Sequence, residues 1–152
     1  MRHLASRGVL AVLAGFIAIT SIAGALFVVP GLPLEWLEGS PLTDYTLPAI
    51  ALGLVGVVAL ATVVAVLVRP DVAGGVAIVA GLGMVAFELV EIWVVGFSLL
   101  DYGLGEPVAW LQVVYLAAGT LTATIGYALW RATAEDRLRR ARTLPQAHPS
   151  RS

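Results

Sequence analysis

Apolar residues in this chain neither alternate nor keep to one stripe. They run in four long blocks, separated by short polar or Pro/Gly-containing stretches. The first block covers about Gly8 to Val29 and ends at Pro30-Gly31. The second covers about Leu47 to Val68 and ends at Arg69-Pro70. The third runs from about Val72 to Leu100, and the fourth from about Pro107 to Trp130. A helix crosses about 30 Å of hydrocarbon with about 20 residues, at about 1.5 Å each. Every block meets that length. A helical bundle also satisfies its backbone groups internally, which lipid demands. Pro107 suits a first helical position, where its missing N–H leaves nothing unpaired. The pattern predicts an all-α fold, an integral membrane four-helix bundle over residues 1–143.

The connections carry their own signals. In "PGLPLEWLEGSPLTDYTLP", Leu34, Trp36 and Leu37 alternate with Glu35 and Glu38. This predicts a short amphipathic turn at the interface, with Trp36 at headgroup level. After Trp130, "RATAEDRLRRAR" reads as a helical extension that an anionic leaflet would hold. Residues 144–152, with Pro145, Pro149 and serines, read as a disordered tail. One rival reading concerns the N-terminus. Arg2, Arg7 and Ala23-Gly24-Ala25 imitate a signal peptide and its cleavage site. The apolar run continues to Val29, beyond the usual core of about 7–15 residues, so a retained span is expected.

Composition agrees with this class. The chain of 152 residues is 59% hydrophobic and only 12% charged, where soluble domains carry about 25% charge. The net charge of -1 offers no basic surface for nucleic acid. The absence of cysteine removes disulfides, iron–sulfur clusters and thiol catalysis. Every basic residue is an arginine, and position matters more than number. Arg2 and Arg7 precede the first span, and Arg69 lies between the second and third. Arg131, Arg137, Arg139, Arg140, Arg142 and Arg151 follow the fourth. The other side carries Glu35, Glu38, Asp44, Asp101 and Glu106. The positive-inside rule then predicts an inner, cytoplasmic membrane protein with both termini inside.

Candidate chemistry is confined to one segment, "GLGMVAFELVEIWVVGF", which places Glu88 and Glu91 in the third span. Glu88 falls near mid-membrane and Glu91 in the outer half. Spaced i and i+3, they share a helix face. A bare anion facing lipid costs several kcal/mol, so they should point into the bundle. At least one is expected to carry a proton, because burial and a neighbouring like charge both favour the neutral acid. No span offers a basic partner. Depth counting nominates Ser21 and Thr20 on span one and Tyr115 on span four, with Gln112 one turn further out. Gln112, Tyr115, Gly119, Thr122 and Gly126 fall at helical spacing, an inward polar and small-residue face. Ala14, Ala18, Ser21 and Ala25 on span one, and Ala49, Gly53 and Gly56 on span two, are the matching small faces. The candidate site for a ligand or proton is therefore Glu88, Glu91, Gln112, Tyr115 and Ser21. The glycines read as close packing, and the span threonines as bonded to their own helix or a neighbour. No cofactor or metal site is expected. Two carboxylates lack the further acids or histidines of a di-metal centre. No span holds a histidine for haem.

Three stretches also carry a family resemblance: "LPLEWLEGSPLTDYTLPAIALG", "ELVEIWVVGF" and "WLQVVYLAAG". They resemble small four-span bacterial integral membrane proteins with no assigned activity. The shared pattern falls on Ser40, Pro41, Asp44, Tyr45 and Pro48, on Glu91, Trp93 and Gly96, and on Trp110, Leu111, Gln112 and Tyr115. Ala49 stands where that family often has Gly, and its Glu91 position is often Gln. The resemblance implies a shared fold and brings no mechanism.

Three functions fit these observations. The leading expectation is proton- or cation-linked transport, or a channel-like role, at the carboxylate pair. A non-catalytic membrane subunit or scaffold is the second. An intramembrane enzyme, an isomerase or hydrolase on a lipid-like substrate, is the third and requires a cavity of about 300 Å³ or more beside the acids. Expected partners are membrane lipids, with a homodimer or a partner membrane protein, and no nucleic acid.

Overall fold

The structure, a computed structural model, describes residues 2–95 and 107–143. Four helices are long and apolar enough to cross a membrane. Helix α1 spans Arg2–Ala23, α2 Thr46–Val68, α3 Ala73–Val95 and α4 Pro107–Thr143. Together they define a multi-pass membrane protein built as an all-α four-helix bundle. Neighbours run antiparallel: Gly56 of α2 faces Ile22 of α1 while Gly53 faces Ala25 just beyond it, and Gly81 of α3 faces Gly119 and Ala123 of α4. The most extensive packing is between α3 and α4, then α1 with α2 and α2 with α3. A smaller contact between α1 and α4 closes the ring.

Apolar residues cover both the inside and the outside of this bundle, and alanine is prominent among the buried ones. Val12, Phe27, Leu67 and Trp93 lie on the periphery, where lipid would be. Ala14, Ala18, Ala59, Ala77 and Ala80 are buried. With no hydrophobic drive between helices in lipid, small residues let backbones approach and gain dispersion contacts. Glycine is required where the approach is closest. A Cβ on Gly126 would lie 2.8 Å from Ala77 Cβ and 2.9 Å from the Gly74 carbonyl oxygen. One on Gly56 would lie 2.7 Å from Ile22 Cγ1. The small faces expected on the first, second and fourth spans meet neighbouring helices, and α3 adds one of its own at Gly74 and Gly81.

Helix ends depart from the apolar blocks. α1 begins at Arg2 rather than Gly8, and after Ala23 it continues as a π-helical turn, Gly24–Val28, then a 3₁₀ turn, Val29–Gly31. α4 runs past Trp130 to Thr143, so the predicted helical extension is part of one helix. α3 is described to Val95; the predicted continuation to Leu100 lies outside the described residues, as does the tail 144–152.

The loop after α1 folds back onto the bundle. Leu34–Leu37 forms a 3₁₀ turn that touches α3, and Leu37 is buried. This is the expected short turn, although the Trp36 side chain lies outside the described residues. Gly39 closes the turn with φ +82, a left-handed conformation that suits glycine. The Tyr45 hydroxyl donates to the Pro33 carbonyl at 2.9 Å, and the Thr46 N–H donates to Asp44 Oδ1 at 2.8 Å to start α2. Holding that bond keeps the exposed Asp44 carboxyl below its usual range. At the opposite end the α2–α3 turn carries Asp71, which pairs with Arg69 at 3.4 Å and with Arg137 of α4 at 3.6 Å. Arg2 and Arg7 begin α1 at this same end, so every described arginine is there.

Candidate functional site

Glu88 and Glu91 project from the half of α3 that lies away from the arginines. Glu88 lies about 22 Å along the helix from Ala73, at about 1.5 Å per residue. Their inward placement follows from α3 itself, whose buried residues Ala73, Ala77, Ala80, Met84 and Glu88 recur at helical spacing. Glu88 is only 2% exposed, and Glu91 is partly buried one turn further on.

The two carboxyls have different surroundings. Gln112 Nε2 of α4 donates to Glu91 Oε1 at 3.3 Å, a bond that ties α3 to α4. Gln112 is itself 2% exposed. Glu88 Oε2 has no hydrogen-bond partner among the described residues. The other nominated neighbours turn elsewhere. The Ser21 hydroxyl donates weakly to Met84 Sδ at 3.9 Å, one helical turn below Glu88. The Tyr115 ring packs against Phe16, with ring centroids 5.9 Å apart. Thus the structure pairs Gln112 with Glu91, sets Ser21 just beneath Glu88, and gives Tyr115 an aromatic role. Thr20 bonds its own helix through the Phe16 carbonyl, as Thr62 does through Val58 and Thr124 through Thr120. Thr122 departs from that pattern, with a buried hydroxyl that has no partner among the described residues.

Below the carboxyls, toward the arginine end, the core is mainly apolar, interrupted by the buried hydroxyls of Ser21, Thr62 and Thr122. Ile17, Ala18, Ala59, Ala80, Met84 and Ala118 form one buried apolar cluster, with Phe87 and Tyr115 packed on it. Above them, Tyr45 and Phe87 pack on a second cluster of Ala25, Val29 and Leu52. Tyr45 is within electrostatic reach of the site: burial first, then the Glu35 and Glu91 carboxylates, hold its hydroxyl above the ordinary tyrosine range. Sequence reasoning placed Tyr45 only in a loop motif and did not nominate Met84. Met84 is nevertheless four residues before Glu88, on the same helix face.

The arrangement can hold a proton or a small cation between two carboxyls and an amide, separated from the arginine end by an apolar plug. Comparisons with known protein families, with characterised proteins and with solved structures find no match for this chain.

Proposed function

We propose that the protein resides in the cytoplasmic membrane and handles protons or small cations at Glu88 and Glu91 in a transport role. The observation that carries this reading is the Glu88 carboxyl. It is 2% exposed, has an unpartnered oxygen, stands three residues from a second carboxyl and lies at the end of the bundle away from the arginines. An intramembrane acid of this kind is costly to keep and is the usual mark of an ion or proton path. The plug of Ile17, Met84 and Ala118 favours a transporter over an open pore, because passage requires the plug to part. The arginine-bearing end is assigned to the cytoplasm, with both termini there. The resemblance to four-span bacterial proteins supports the same membrane and adds no activity. In proteoliposomes the wild type should give acid-dependent flux, and a carboxyl band should titrate in infrared difference spectra. Unchanged flux and an unchanged band in Glu88→Gln would refute the reading.

One observation favours a second reading, that of a non-catalytic subunit. The Gln112–Glu91 bond ties α3 to α4 beside an apolar cluster, as a packing contact would. In that case Glu88 and Glu91 variants lose stability alone, and a membrane partner co-purifies in mild detergent.

A further inference from the structure

The outer surface of α2 carries a shallow, open apolar groove of about 490 Å³ at its arginine end. Ala61 and Ala65 leave the depression, Val57, Val64 and Val68 wall it, and Arg69 closes one end. From Val57 to Arg69 the groove runs about 18 Å at about 1.5 Å per residue. One leaflet of hydrocarbon is about half of about 30 Å. The groove therefore has the depth of a single leaflet, with a guanidinium at headgroup level.

A second arginine stands at the same place. Asp71 holds Arg69 at 3.4 Å and Arg137 at 3.6 Å, so α4 brings its guanidinium near that of Arg69, the residue at the end of the groove. Two positive charges share one carboxylate, leaving net positive charge. Both side chains are mostly exposed, at 68% and 64%. Each guanidinium has five N–H donors in a planar fork suited to phosphate oxygens.

We infer that this groove binds one anionic phospholipid, its acyl chain along Ala61 and Ala65 and its phosphate at Arg69 and Arg137. A zwitterionic lipid would place a cationic group beside the same arginines and gain less from them. A second copy of α2 could also use Ala61-x-x-x-Ala65, a small-residue spacing that supports helix pairing. Two copies in the same orientation, related by a twofold axis, would bring Arg69 toward Arg69, which disfavours that occupant. Free phosphate would engage the arginines and leave the groove unfilled.

Delipidated protein in mild detergent is titrated with dioleoyl phosphatidylglycerol, with dioleoyl phosphatidylcholine and with inorganic phosphate. Thermal midpoint and native mass spectrometry are recorded. Phosphatidylglycerol should raise the midpoint and remain bound at about one molecule per chain, and the other two should do neither. The double variant Arg69→Gln, Arg137→Gln should lower phosphatidylglycerol retention roughly tenfold or more, to the phosphatidylcholine level. Ala61→Trp fills the groove from an exposed position and keeps both arginines. It should abolish retention while the bundle stays folded. Equal retention of the two lipids, unchanged retention in Ala61→Trp, or a phosphate shift matching that of the lipid overturns the proposal. So does efficient oxidative dimerisation of Ala61→Cys in membranes, because the chain has no other cysteine and a second copy then fills the groove.

Discussion

Glu88 and Glu91 are three residues apart on one helix, yet their neighbours give them different chemistry. Glu91 has a donor in Gln112, and Glu88 Oε2 has none among the described residues. Replacing Gln112 with Leu removes an interhelical bond, and such bonds in membranes are worth about 0.6 kcal/mol on average and up to about 1.7. Gln112→Leu should therefore unfold more readily by an amount in that range in mixed-micelle denaturation. Glu91→Gln keeps a carbonyl acceptor and should lose less. Glu88→Met should leave stability unchanged or raise it, since an unpaired buried polar group is itself a cost. It should at the same time remove acid-dependent flux. A stability gain without loss of flux counts against a functional Glu88. Counting depth from the outer ends of two antiparallel helices put Gln112 in the candidate cluster but one turn further out, with Tyr115 nearer the level of Glu91; the bond is made by Gln112. The orientations of Ser21 and Tyr115 were not legible in the sequence. Depth fixes the level of a side chain but not its direction around the bundle, and Met84 and Phe16 were the nearer partners.

At the scale of elements, small residues decide which helices touch. Gly74, Gly81, Gly119 and Gly126 bring α3 and α4 into backbone contact. Gly126→Leu would push a side chain into Ala77 and the Gly74 carbonyl. Overpacking of this kind costs about 1–3 kcal/mol, and backbone contact on both sides argues for the upper end. Gly75 lies on the same α3 turn with nothing within 4 Å of an added Cβ, so Gly75→Ala should change the midpoint little. Comparable losses in both variants would mean that helix propensity, not packing, is being measured. The small-residue faces of α1, α2 and α4 were readable in advance because they recur at helical spacing; that of α3, at Gly74 and Gly81, was not nominated. The helix ends were not all readable, since an apolar block measures hydrocarbon thickness and not helix length. α1 therefore reaches back to Arg2, whereas the continuation of α4 past Trp130 was expected from its Arg-rich sequence and runs to Thr143.

For the whole molecule, polarity along the bundle axis is the organising feature, and it rests on arginine placement that a sequence states directly. What the sequence did not state is that Asp71 fastens the arginine end. The Arg69 hydrogen bond first, and the Arg69 and Arg137 charges after it, hold the exposed Asp71 carboxyl below its ordinary range. A carboxyl whose value is depressed on folding contributes stability above its unfolded value, and loses it as pH falls through the folded one. The contribution is therefore complete at neutral pH and disappears in acid. Asp71→Asn should flatten this part of the acid limb of a stability–pH curve, and a limb identical to the wild type would show the fastening to be inert. Polarity also fixes topology, which the absence of cysteine makes simple to measure. Glu38, in the loop after α1, and Asp136, on the α4 extension, are both exposed and lie at opposite ends of the bundle. With the arginines inside, Glu38→Cys reacts with an impermeant maleimide in intact cells, and Asp136→Cys reacts only after permeabilisation. The reverse pattern would place the carboxylates in the cytoplasmic half of the membrane. Any proton they take up would then come from the cell interior.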